Sequence, residues 1–160
     1  MYAAGDYIML EKDGIWQVSE LETDTKSGEV LRYILKSPKE PDNTKNIKAD
    51  SKMLLRKVIS KDDLTDILSR IPYIRTIQAP NNKIREELYE TAMAAYDELE
   101  WIRVIKTAYL RKEEGKQMPF EEKYSRQAKD YFHLEVSVVM DIPFDQVEDY
   151  IASAIADDLW

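Results

Sequence analysis

The chain has no cysteine, one histidine, four glycines and six prolines in 160 residues. Without cysteine there are no disulfides, no thiolate zinc sites and no thiol nucleophile. Four glycines leave no Gly-rich phosphate loop, and Gly115 stands alone between helical patterns. Long apolar runs are missing as well. None approaches the roughly 18 residues of a membrane span, and the start, Met1 to Tyr7, lacks a basic segment leading into an apolar one. The reading is a soluble, unprocessed, cytoplasmic protein. Positive charge is short: 23 Lys and Arg face 31 Asp and Glu, a formal charge of −8. Phosphate neutralisation by Lys and Arg supplies most non-specific affinity for nucleic acid, so tight indiscriminate binding is not expected.

The charge is uneven. Residues 1–60 hold 10 acids and 10 bases, and residues 61–160 hold 21 acids and 13 bases. Within the second part, residues 101–129 reverse the sign: Arg103, Lys106, Arg111, Lys112, Lys116, Lys123, Arg126 and Lys129 outnumber Glu113, Glu114, Glu121 and Glu122. Two readings stand side by side, a local basic face and a solvated helix surface laced with ion pairs.

What is present is a change of rhythm near residue 60. Before it, apolar and polar residues alternate over short runs. Strands are predicted over 7–10, 15–22, 30–36, 46–50 and 54–59, with a hairpin at Asp13-Gly14 and an exposed tip over 23–28. Trp16 and Val18 fall on one side of the second strand, which makes Trp16 a core residue. Five short strands suit a small, curled antiparallel barrel.

After it, the period becomes helical. Ser60 is a helix cap followed by Leu64, Ile67 and Leu68, whereas Pro72 and Pro80 mark 71–82 as a linker. Ile84, Leu88, Ala92 and Ala95 trace the next helix. Trp101, Val104, Ile105 and Ala108 trace another, capped by Asp97. A third begins at Pro119 and runs through Tyr124, Ala128, Tyr131, Leu134 and Val138. Pro143 opens a last one carrying Val147, Tyr150, Ile151 and Ile155. Tyr109, Tyr124 and Tyr131 read as core or core rim, where a phenol keeps its hydroxyl wet. The fold class is α+β. Residues 1–60 form a β module, 61–82 a short helix and linker, and 83–160 a compact domain within a total of four to five helices.

Catalytic equipment is thin. On its helix His133 has only Asp130 at i±3 or i±4 to act as ligand or base partner. Glu86-Glu87, Asp97-Glu98 and Glu121-Glu122 are adjacent in sequence, so their side chains diverge by about 100° and cannot face one substrate together. No enzyme, cofactor, metal or small-molecule substrate is expected.

Three stretches share a resemblance. Gly5-Asp6-Tyr7-Ile8 followed by Asp13-Gly14-Ile15-Trp16-Gln17-Val18, then Leu55-Arg56-Lys57-Val58-Ile59-Ser60, then Trp101 to Lys112, occur in an order and spacing similar to the CarD-like bacterial transcription regulators. The resemblance runs from about Gly5 to Ile155. It implies a Tudor-like barrel, shared with transcription-repair coupling factor, that docks on the RNA polymerase β subunit. It also implies a helical domain lying against promoter DNA and stabilising the open complex.

On that basis the polymerase contact falls on the tip, Thr23, Asp24, Thr25 and Lys26, and on the strand around Asn46 and Lys48. Weak, phosphate-directed DNA contact falls to Gln78, Lys83, Arg85, Lys106 and Arg111. Departures are clear. Asp13 replaces the family's histidine, Asp24 stands where an arginine often meets polymerase, and Ile47-Lys48-Ala49 lacks the family's proline. Residues 76–82 carry no tryptophan to wedge into the minor groove. A second reading is therefore a protein-interaction module of the same ancestry without DNA binding. A third is an unrelated hydrolase or transferase built on the carboxylate pairs.

Overall fold

The computed structural model describes residues 1–155. It divides into two compact units, Met1–Ile59 and Ser60 onward. The expected end of the helical domain, 156–160, lies outside the described residues.

The first unit is a five-stranded antiparallel sheet made of β1 (Tyr7–Leu10), β2 (Gly14–Thr23), β3 (Val30–Lys36), β4 (Thr44–Lys48) and β5 (Leu54–Lys57). The order is β4-β3-β2-β1-β5, which leaves the sheet open with β4 and β5 at its edges. The β1–β2 turn closes with Leu10 opposite Gly14, and it uses positive φ at both Lys12 (68°) and Gly14 (78°). Gly14 adopts that conformation without a Cβ penalty, which is why Asp13-Gly14 signals the hairpin. One face carries the core of Ile8, Leu10, Trp16, Val18, Tyr33, Leu35 and Ile47, with Leu21, Met53 and Leu54 against it, and the paired Met9 and Ile15 on the other face of β1 and β2 are buried as well. Burying such side chains contributes roughly 1.5–3 kcal/mol each. Trp16 is held further by its indole N–H donating to the Asp13 carbonyl at 3.0 Å and by the Lys45 ammonium above its ring.

Strands β1 and β3 lie where the alternation puts them. Strand β4 lies two residues earlier than 46–50, because Asp50 and Ser51 belong to a turn in which the Ser51 N–H donates to the Lys48 carbonyl at 3.0 Å.

Among the described residues the second unit has five α-helices: α1 (Lys61–Arg70), α2 (Asn82–Ala94), α3 (Glu98–Glu113), α4 (Pro119–Met140) and α5 (Val147–Ile155). Ser60 caps α1 by accepting the Asp63 N–H at 3.1 Å, and Asn81 caps α2 through the Ile84 N–H at 2.9 Å. Pro119 opens α4 at a position where its missing N–H costs nothing. Asp97 precedes α3 but makes no side-chain capping bond.

Helix α3 is central. Trp101, Ile102, Val104, Ile105 and Ala108 are fully buried, and α3 packs on both α2 and α4. On α2 the buried face is Tyr89, Ala92 and Met93; of the predicted line Ala92 is buried and Ile84 half-buried, whereas Leu88 and Ala95 are exposed. The helix is turned by about one residue because the Tyr89 hydroxyl meets a buried carboxylate on α4, described below.

This unit begins at Ser60, so the stretch 71–82, expected to be a linker after a short helix, falls inside it. After α1 the chain makes a short 3-10 turn at Ile71–Tyr73, and both Ile71 and Ile77 are buried. The prolines break the helix without freeing the chain, since apolar side chains on either side of them still reach the core. No helix among the described residues is long and apolar enough to cross a membrane.

Candidate interaction surfaces

Strand β4 is the outer neighbour of β3, with Arg32 opposite Lys48, Tyr33 opposite Ile47 and Leu35 opposite Lys45. The same register continues past the strand ends, where the Ala49 N–H donates to the Leu31 carbonyl at 3.0 Å and the Ser37 N–H to the Asn43 carbonyl at 2.9 Å. In an antiparallel pair hydrogen-bonded and non-hydrogen-bonded positions alternate. The odd-numbered residues of β4 therefore bond to β3, and Thr44, Asn46 and Lys48 turn their backbone N–H and C=O groups away from the sheet.

The Lys48 carbonyl is taken by Ser51. What remains is a row of main-chain groups: both from Thr44, both from Asn46, and the Lys48 N–H. Asn46 and Lys48 are the two β4 residues expected to dock, and the ladder gives that expectation a main-chain basis.

The tip is built around a turn. Thr23 ends β2, paired with Val30. Asp24 is a turn former: its carboxylate accepts the Lys26 N–H at 2.9 Å, while its own N–H donates to the Glu29 carbonyl at 2.8 Å. Thr25 and Lys26 stay exposed. Tip and edge meet at one end of the sheet. There a groove of about 620 Å³ is lined by Glu29, Leu31, Arg32, Lys48, Ala49 and Asp50, and Leu31 is 48% exposed in it. Sequence reading missed Leu31, whose only signal is an apolar residue at the tip-side end of a strand.

In the helical unit the five residues expected to meet DNA differ in exposure. Gln78 and Lys83 are exposed, and Lys83 has no ion pair among the described residues. Lys106 is corrected. It is 5% exposed, and its ammonium donates to the carbonyls of Ile71 (2.8 Å), Pro72 (3.4 Å) and Ile74 (2.7 Å). Around it, Arg103 donates to the Arg75 carbonyl and Thr107 accepts the Ile77 N–H, so one flank of α3 stitches down 71–77 residue by residue.

Arg111 is corrected too. Its Nε donates to Glu121 Oε1 at 2.7 Å and one Nη to the Lys116 carbonyl at 3.0 Å, with only 18% of the side chain exposed. Glu121 is wholly buried at the start of α4 and is fully supplied with donors: Arg111, the Tyr89 hydroxyl at 2.9 Å and the Met118 N–H at 2.6 Å. Local spacing shows neither the carbonyls that hold Lys106, 32 to 35 residues away, nor the carboxylate that holds Arg111, ten residues away.

The same cluster makes stability depend on alkali. Burial, the Glu121 charge and the hydrogen bond to Glu121 push the Tyr89 phenol far above its ordinary 10.0. Burial and Glu90 raise Tyr124, and burial and Tyr33 raise Tyr2. The unfolded chain then releases these protons first, so the stability the three phenols contribute is intact below pH 10 and is lost as pH rises above it. Denaturant titrations from pH 8 to 11.5 are expected to show this loss. In Tyr89→Phe the decline should be shallower by up to about 1.4 kcal/mol per pH unit, the share of one titrating group.

One exposed aromatic was also missed. Tyr73, in the 3-10 turn, is 84% exposed. It lies in a 19-residue stretch, 67–85, that holds Arg70, Arg75, Lys83 and Arg85 and no acid. In a chain with a net charge of −8 such a stretch is the signal that could have found it. Among the described residues no group of three His, Asp or Glu could hold a metal ion. In comparison with known proteins, the sequence matches no family model and no curated protein.

Proposed function

We propose that the chain is an accessory transcription factor of the CarD-like kind, acting in the cytoplasm by binding and not by catalysis. Its β unit docks on the RNA polymerase β subunit through the outer edge of β4. The observation that carries this reading is the row of outward main-chain groups on Thr44, Asn46 and Lys48, beside a groove holding an exposed leucine. An edge of this kind adds a partner strand, with main-chain bonds giving affinity and neighbouring side chains giving specificity. A Tudor-like curl is supported by the strand order, which sets the last strand beside the first, and by the register shifts in β2.

The helical unit then lies near promoter DNA. Lys83, Arg75 and Gln78 are exposed and contact the DNA backbone, and the exposed Tyr73 stacks on an opened base. Since Lys106 and Arg111 are held by the protein itself, the DNA contribution is small. That loss favours, as the second reading, a docking module without DNA binding.

Asn46→Pro tests the docking. It deletes an N–H that faces away from β3, a place where strands tolerate proline, so the sheet stays folded. Affinity for the isolated β subunit at low ionic strength should fall at least about tenfold, each main-chain bond being worth roughly 0.5–1.5 kcal/mol and the ring blocking its neighbours. Lys45→Pro, which removes an N–H bonded to β3, should instead lower the melting temperature. Wild-type affinity in folded Asn46→Pro would end the proposal.

A further inference from the structure

A small polar cavity of about 130 Å³ lies between the 76–78 segment, the first turns of α2 and the second half of α3. Its lining includes Thr76, Gln78, Arg85, Thr107, Arg111 and Glu114. Three of the five residues expected to meet phosphate thus converge on one hollow.

The charges around it do not cancel. Arg111 is matched by buried Glu121, and Glu114 is paired with Lys116 at 3.6 Å. Arg85 has no carboxylate partner among the described residues. Its guanidinium is held only by neutral acceptors, the Asn82 side-chain oxygen and the Ala79 carbonyl at 3.2 Å, and its buried Nε–H has no acceptor at all. A half-buried cation without a counter-charge is costly, and an unmet buried N–H costs about 1–3 kcal/mol more.

The polar groups nearby donate. Gln78 gives one amide N–H to Thr76 Oγ1 at 2.8 Å, which leaves its second amide N–H and the Thr76 hydroxyl proton for a ligand. Thr107, by contrast, is used up: its hydroxyl accepts from Ile77 and donates to the Arg103 carbonyl.

We infer that this cavity is a binding site for a single tetrahedral oxyanion of the phosphate class, with Arg85 as its charge partner and Gln78 and Thr76 as its hydrogen-bond donors. The volume is about four waters' share of the liquid, enough for a phosphate group and too small for a nucleoside. A guanidinium with a spare N–H suits such a ligand because it offers charge and directed donors together. The occupant is either free phosphate or one phosphodiester of a strand crossing the 76–85 surface.

The test is a phosphate titration of the full chain at low ionic strength, followed by NMR of the arginine Nε–H groups and backbone amides, with chloride at matched ionic strength as control. A saturable shift centred on Arg85 and Gln78 is expected. In Arg85→Gln the phosphate affinity should fall at least tenfold, whereas Lys83→Gln, on the exposed surface, should stay within twofold. Equal loss in the two variants, unchanged affinity in Arg85→Gln, or no saturable shift in the parent would overturn the site. The parent titration decides alone if Arg85→Gln does not fold.

A short duplex in place of phosphate separates the sources. The same Arg85 shift with duplex marks a phosphodiester, and a shift with inorganic phosphate only marks a free anion. The inorganic arm is independent of the promoter reading; only the duplex arm rests on it.

Discussion

Arg111→Ala should destabilise the helical unit by about 3–5 kcal/mol, read as a lower denaturant midpoint at constant m. The size follows from what stays behind. Glu121 is wholly buried and loses its only ion-pair partner among the described residues, while the Tyr89 hydroxyl and the Met118 N–H cannot neutralise it. Removing the acid should cost less, because Arg111 is partly exposed and keeps the Lys116 carbonyl. The double replacement Arg111→Leu with Glu121→Leu should recover much of the loss, since buried ion pairs are often no better than apolar residues of similar size. If Arg111→Ala cost under 1 kcal/mol, the description of Glu121 as dependent on that guanidinium would be wrong. The result also guards the functional assays: reduced promoter binding in this variant would report unfolding, not a lost phosphate contact.

Lys106→Met is expected to cost about 2–4 kcal/mol, by removing a charged donor from three carbonyls while keeping the aliphatic stem packed. The effect should be local at first. Residues 71–77 depend on Arg103, Lys106 and Thr107 for their attachment to α3, so amide exchange at Ile74 and Ile77 should accelerate before α3 and α4 lose protection. Unchanged exchange at those two amides, with a melting temperature equal to wild type, would show that the carbonyls do not need the ammonium.

These two residues also mark where sequence reading stops. Alternation and the Asp13-Gly14 turn place β1 and β3 correctly, because a half-buried strand writes its pattern into consecutive residues. Ser60 and Pro119 are legible for the same reason, as caps depend on neighbours within one turn. The partners of Lys106 lie 32 to 35 residues away, and Glu121 lies ten from Arg111. A base buried by such partners has the same local surroundings in sequence as one in water.

The stretch 71–82, expected to be a linker, lies inside the helical unit for a related reason. Pro72 and Pro80 report that the helix stops, and nothing in them reports that Ile71 and Ile77 go on to bury themselves. On the docking side the residues Asn46 and Lys48 were legible. Their mode of contact was not, since it depends on the parity of a ladder that only the pairing with β3 fixes.

That parity divides the labour within β4. Ile47 anchors the strand in the core, and Lys45 ties it to Asp13 across the end of the first hairpin. The side chains of Thr44, Asn46 and Lys48 are exposed and carry little of the folding task. Exchange of one side chain for another at these three sites, proline excepted, is therefore nearly neutral for the scaffold and leaves the main-chain array untouched. Such a strand lets a lineage retune whom it prefers without first having to rebuild how tightly it holds.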